Sequence, residues 1–270
     1  MQAMELTMLG TGNAMVTKCY NTCFLLKCNG EYMLTDAGGG NGIMVQLEKA
    51  RVSYQDIHTM FITHGHTDHV MGAVWVIRKI ATLMEGGKYD GDFHIYCHDE
   101  VKHMLMTFCE MMLVAKLVKH IGKEIQIHVV EDGTEFKALG LSFTAFDIGS
   151  TKIKQFGYQM KMEDGRTLTC IGDEPYNERC SSYVTGTDWL LCEAFCLYED
   201  RDVFKPYEKH HSTAMDAGKL ANELGVKNLI LYHTEDKNLA VRKERYTLEA
   251  KQNFDGAVFV PDDLDTIAIQ

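Results

Sequence analysis

The sequence predicts an α/β fold in which two β-sheets pack together and are flanked by helices. Three observations predict it. Strand-like segments come in two separate series, a helical pattern follows each series, and no Pro-rich hinge or low-complexity linker divides the 270 residues, which hold only 3 Pro. The expectation is one domain spanning 1–270.

In the first series, Met4-Leu9 alternates into Gly10-Thr11-Gly12, and Thr22-Leu26 and Tyr32-Thr35 form strands around the hairpin signal Asn29-Gly30. Asp36-Ala37-Gly38-Gly39-Gly40 opens a loop ahead of a helix over Ile43-Ala50. His58-Thr63 is a strand, Ala73-Leu83 a helix, Phe93-Cys97 a strand, Glu100-Val118 a long helix and Glu124-Val130 a strand. The second series holds Leu141-Asp147, Gly157-Met162, Thr167-Ile171 and Trp189-Cys192. Ser212-Leu224 has a Ser-Thr start, 3.6-residue apolar spacing and Gly225 after it, the pattern of a capped helix. Lys227-Tyr232 is a strand, Lys237-Phe254 a charged helix, and Ala257-Val260 and Leu264-Ile269 close the chain as strands.

Lys plus Arg is 27 and Asp plus Glu 38, a net charge of −11, which excludes a uniformly basic nucleic-acid surface. With 46% hydrophobic and 24% charged residues the composition is globular, not disordered. No run reaches the roughly 18 apolar residues that span a bilayer, so no membrane partner is expected. The start MQAMELTMLGTGNAM lacks a secretory pattern, and nine scattered cysteines read as free thiols in a reducing compartment. A soluble cytoplasmic protein is the expectation.

His64-x-His66-x-Asp68-His69 places three imidazoles and a carboxylate within six residues where a strand ends. Residues two apart on an extended segment point the same way, so His64 and His66 can hold one metal together. Asp68 and His69 fall on the next bend, where they can face a second ion. Imidazole with carboxylate suits Zn2+, and also Mn2+ or Fe.

HGHTDH preceded by FIT, with LGTGNA and DAGG before it and CIGDE and LILYHTED after it, resembles the metallo-β-lactamase superfamily of metal-dependent hydrolases. YNTCFLL, KQFGYQM, DWLLCEAF and HSTAMDAGKLANELGVKNLILYH narrow the resemblance to the ribonuclease Z-like branch. It implies an αββα sandwich of two mixed β-sheets, the metallo-β-lactamase fold, with metals at one edge between the sheets. It also implies that His64 and His66 hold the first metal, that Asp68, His69 and His233 hold the second, and that Asp173 bridges them. A bridged pair of ions lowers the pKa of a shared water, giving metal-bound hydroxide near neutral pH.

The resemblance calls for one more His on the first metal, before Phe156-Gly157-Tyr158, yet 147–155 contains none. Asp147 is the substitute oxygen ligand in one reading and a polar strand-end residue in the other. One or two ions are therefore expected, the second site being the tighter. The resemblance further implies a proton relay of Glu193, His211 and Asp68, with His211 near its ordinary pKa as general acid. Asp36 is expected to support the metal loop by hydrogen bonds.

The leading function is a ribonuclease Z-like phosphodiesterase. That branch grips tRNA with a basic Gly- and Pro-rich arm, whereas Arg78-Gly133 offers only the short turn Glu85-Gly91. A small phosphodiester or nucleotide is therefore favoured as substrate over RNA. The alternatives are hydrolysis of a carboxylic ester, lactone or thioester, or a degenerate metal- or ligand-binding protein. The Met-rich helix after Glu100 suggests a homodimer interface or a pocket wall, and a homodimer is expected.

Overall fold

Hydrophobic patterning drives every layer of the fold. The computed structural model describes residues 4–270. In chain order the first half comprises β1 (Met4–Gly10), β2 (Cys23–Cys28), β3 (Glu31–Thr35), α1 (Gly42–Lys49), β4 (Ile57–Phe61), α2 (Thr67–Glu85), β5 (Phe93–Cys97), α3 (Asp99–Met112), α4 (Ala115–Val118) and β6 (Ile125–Val129). The second half comprises β7 (Thr134–Ala138), β8 (Leu141–Asp147), β9 (Phe156–Lys161), β10 (Thr167–Cys170), α5 (Ser181–Val184), β11 (Trp189–Glu193), α6 (Arg201–Phe204), α7 (Ala214–Glu223), β12 (Asn228–Tyr232), α8 (Arg242–Ala250), β13 (Ala257–Phe259) and β14 (Thr266–Ile269).

Strands β1 to β6, joined by the C-terminal β14, form one seven-stranded sheet, and β7 to β13 form the other, ordered β14-β1-β2-β3-β4-β5-β6 and β13-β12-β11-β10-β9-β8-β7. Both begin as antiparallel meanders and end as parallel strands. Asn29 and Gly30 are both left-handed (φ 55° and 86°), as a two-residue hairpin turn requires, and Leu139-Gly140 (55° and 74°) repeats the device between β7 and β8. Leu6, Phe24, Met33 and Phe61 of one sheet meet Phe143, Tyr158, Leu191 and Ile230 of the other in the central core. Each such buried side chain contributes about 1.5–3 kcal/mol. A second cluster lies beneath α1, α2 and α3, and a third beneath α7 and α8, so helices cover both outer faces. This is the two-sheet sandwich that the sequence predicts.

Several boundaries differ from expectation. The helix over Ala73-Leu83 starts earlier, at Thr67, so Asp68 and His69 stand in its first turn and not on a bend. The helix over Glu100-Val118 breaks at Leu113 (ψ 149°), whose side chain turns into the core, and resumes as α4. The charged helix over Lys237-Phe254 is α-helical only from Arg242, because Lys237 and Asn238 donate their backbone N–H groups to the buried Glu235 carboxylate. β7 is an additional edge strand, alternating Thr, Glu, Phe, Lys and Ala.

Candidate metal centre

The ends of β4, β10 and β12 lie at one edge of the sandwich, and each hands the chain to a predicted ligand. β4 leads into Thr63, His64 and His66, β10 into Asp173, and β12 into His233. His233 and Asp36 both hold left-handed backbone (φ 58° and 54°), a conformation non-glycine residues take only where their surroundings impose it. For His233 the constraint is visible: Thr234 N–H donates to Thr11 O (3.0 Å), and the buried Arg242 guanidinium donates to both Thr11 and Thr234 hydroxyls (3.0 and 2.8 Å). The Gly10-Thr11-Gly12 turn thus braces the His233 loop. Arg242 is a supporting residue that no local pattern announces.

Two donor sets share Asp173. His64, His66 and Asp173 form one, and Asp68, His69 and His233 form the other; within each set the donor atoms lie within 4.8 Å of one another. In the first, His64 Nε2 is 2.9 Å from His66 Nδ1 and 3.6 Å from Asp173 Oδ1. In the second, His69 Nε2 is 3.4 Å from Asp68 Oδ2, and Asp173 Oδ2 lies 3.4 Å from His69 Nε2 and 3.3 Å from His233 Nε2. All of these side chains are buried except His66, which is partly exposed.

The rear nitrogens of these rings are held. His69 Nδ1 donates to Asp36 Oδ2 at 2.8 Å, and Asp36 also accepts from Thr63 N–H and hydroxyl, both at 2.8 Å. Thr22, whose hydroxyl donates to Gly12 O, faces His233 Nδ1 at 3.1 Å. These contacts turn the Nε2 atoms of His69 and His233 toward Asp173, and His69 Nε2 is buried with no hydrogen-bond partner. Oriented imidazoles, a shared carboxylate and an orphaned ring nitrogen fit a pair of divalent ions. Asp36 does what the sequence assigned to it.

Electrostatics follow from this crowding. Burial works to lower the His69 imidazole, but Asp68 and Asp36 outweigh it and hold the ring well above its ordinary value. Burial would raise the Asp68 and Asp173 carboxyls, and the facing imidazoles instead pull both below the carboxylate range. His64 and His233 are lowered, chiefly by burial.

His211 lies beside the second set, within 4.8 Å of Asp173 and His233 donors. Its ring stacks on Phe195 (4.6 Å, 10°), its Nδ1 is 3.7 Å from Glu193 Oε2, and Lys152 Nζ is 3.5 Å from its Nε2. Glu193 is fixed by Ser212 N–H (2.5 Å) and Phe195 N–H (3.1 Å). Burial, helped by His233, drives the His211 imidazole down to about 3, and burial raises the Glu193 carboxyl well above its usual range. The sequence expectation of a near-neutral His211 is therefore corrected: both groups favour their neutral forms. Asp68 shares the cavity with His211, and its close partner is His69.

Asp147 is turned away from this edge. Its carboxylate accepts Gly149 N–H (2.8 Å) and faces Arg179 (3.8 Å), the strand-end reading of the two. Gln155, from the same loop, is the residue that reaches the donors, with its amide 2.7 Å from His64 Nδ1 and donating to Asp173 Oδ1. The donors open into a cavity of about 590 Å³ lined by Met15, Val16, Phe195 and Phe204 and by Lys152, Lys209 and Lys237.

A family profile described as "Anti-Pycsar protein Apyc1" matches residues 4–253. Ribonuclease Z of Thermococcus sibiricus is 26% identical over 98% of this chain and 96% of its own. Among solved structures, the metallo-β-lactamase fold protein YhfI from Bacillus subtilis superposes with a TM-score of 0.78 at 16% identity, covering 99% and 100% of the two chains. Human tRNase Z, short form (ELAC1), gives 0.76 at 21% identity, covering 98% and 99%. The fold is the metallo-β-lactamase fold, and the ribonuclease Z-like resemblance of the motifs is borne out.

Proposed function

The chain belongs to the anti-Pycsar protein Apyc1 family, and from that premise we propose that it is a metal-dependent phosphodiesterase. The observation that carries this reading is the pair of donor sets joined by Asp173 at the floor of an open cavity. His64, His66 and Asp173 would hold one ion, and Asp68, His69, His233 and Asp173 the other, with Zn2+ the metal best matched to this imidazole-rich set. When bound, such a pair supplies Lewis acidity to phosphoryl oxygens and lowers the pKa of a coordinated water.

The chain's own residues supply the rest. Asp68, kept ionised by His69, holds negative charge at the floor of the cavity. The neutral Glu193–His211 couple carries two protons, one on the carboxyl and one on the ring, and can release one of them. The carboxyl can protonate Nδ1 as the ring releases a proton from Nε2 to a departing alkoxide, and Phe195 fixes the ring's plane. Lys152, Lys209 and Lys237 bring cationic groups to the cavity lining alongside Glu235 and Asp236, and Phe195 and Phe204 offer flat apolar walls.

That lining supports a small phosphodiester or nucleotide as substrate over an RNA. The link between α2 and β5 is seven residues (86–92), which supports the same choice. No described helix is long and apolar enough to cross a membrane. Nine cysteines without a disulfide accord with a cytoplasmic location. A homodimer is read from the apolar surface at Met111 (80% exposed), Met112 and Val114, to be checked by light scattering. The whole chain, 1–270, is taken as one domain.

The deciding assay compares bis(p-nitrophenyl) phosphate and nucleotide diesters with a precursor tRNA, a lactone and a thioester. Diester turnover that requires metal supports the reading, and turnover of the lactone or thioester alone overturns it. Asp173→Ala should abolish turnover, and full retained activity refutes the bridging role.

A further inference from the structure

Gln155 occupies the place where the first donor set is one ligand short. It is 1% exposed at the end of the loop between β8 and β9. The backbone holds it there: Ile148 N–H donates to Gln155 O (3.2 Å), and Phe156 N–H donates to Thr63 O (2.9 Å), one residue from His64. Its amide lies between His64 Nδ1 and Asp173 Oδ1, and its Oε1 is buried without a hydrogen-bond partner. The amide lies flat against Gly172, where a Cβ would come within 2.9 Å of Gln155 Cδ. Gly172 is left-handed (φ 73°), so glycine both permits the turn into Asp173 and makes room for the glutamine.

The two donor sets are therefore unequal. The second has three side chains of its own plus Asp173, whereas the first has His64, His66 and an Asp173 oxygen already engaged by an amide donor. We propose that Gln155 is a positioning residue that sustains the affinity of the first ion, which is one protein ligand short and therefore the weak, exchangeable one, while the second ion is resident. This rests on the two-ion reading above. Gln155 holds the Asp173 carboxylate and steadies the His64 ring, and it fills the space a further imidazole would need. Groups that orient ligands in this way typically change metal affinity 10- to 100-fold when removed.

The test is calorimetric titration of metal-free protein with Zn2+ and with Mn2+, alongside the visible absorption of the Co2+-substituted protein. Wild type should bind in two steps at least tenfold apart. Gln155→Ala should weaken the weak step about tenfold or more, leave the tight step unchanged and alter the Co2+ bands of the second equivalent only. Gln155→Glu, of the same shape but offering an anionic oxygen, should strengthen that step and draw the two together. If both variants are folded and neither step moves, or if the tight step alone moves, the role of Gln155 is refuted while the two-ion reading stands. If wild type binds no ion, both fall.

Discussion

Replacing Asp36 by Asn tests the metal centre from behind. Asn accepts left-handed backbone as readily as Asp, so the φ of 54° adds no strain, and the side chain keeps its size. What changes is the hydrogen-bond inventory. Asp36 accepts three bonds, from Thr63 N–H, the Thr63 hydroxyl and His69 Nδ1, all at 2.8 Å. An amide oxygen can keep the Thr63 N–H, and the Thr63 hydroxyl can turn to accept. The NH2 group then meets His69 Nδ1–H donor to donor. To relieve that clash His69 must move its proton to Nε2, the atom that faces Asp68 and Asp173. Losing the charge-assisted bond should cost about 1.5–3 kcal/mol of stability. Expelling the Nε2 lone pair should cost the second ion 10- to 100-fold in affinity, about 1.4–2.7 kcal/mol. Competition with a chromogenic chelator reads the affinity, and circular dichroism checks that the variant is folded. A folded Asp36→Asn protein whose tight step stays within twofold of wild type refutes the assignment of His69 Nε2 as a ligand.

Two further outcomes follow from packing and charge. Gly72 of α2 lies so close to the Asp36–Gly38 loop that a Cβ would come 1.8 Å from Ala37 O. Gly72→Ala gains about 1 kcal/mol of helix propensity, but the backbone clash should outweigh it and lower stability by about 2 kcal/mol net, seen as a drop in melting temperature; an unchanged or higher value refutes the close docking. In metal-free protein, His69 sits above its unfolded value of 6.5, so its stabilisation is complete below pH 6.5 and is lost as pH rises through the folded value. Asp68, held below 3.8, contributes above that pH and loses its contribution as pH falls. His64, His211 and His233, held below 6.5, work the other way and cost stability as pH falls beneath that value, so the cluster's contribution to the empty protein should be greatest near pH 6.5 and its melting temperature should decline toward pH 9. Metal-saturated protein should not decline with it, because ligand deprotonation favours the ions. A metal-free melting temperature that rises from pH 6.5 to 9 contradicts the charge assignment.

The parts of this molecule that local chemistry writes into short segments were legible. HGHTDH lies within six residues, Asp173 and His233 each follow a strand, and the Ser-Thr start at Ser212 with Gly225 behind it announces α7. Gln155 was illegible because its meaning is a contact with His64, 91 positions away, and a lone glutamine has no pattern. The neutral state of His211 depends on burial, which no spacing reports. The break at Leu113 has neither Gly nor Pro to announce it. β7 is short and half polar, although Leu139-Gly140 was its one available signal.

Because His64, His66, Asp68 and His69 come from one sheet's half of the chain and Asp173 and His233 from the other's, captured cations would rivet two separately built layers. Stripping them would loosen that edge first, while the apolar core between the sheets still holds the layers together. Amide exchange should then quicken first along that rim.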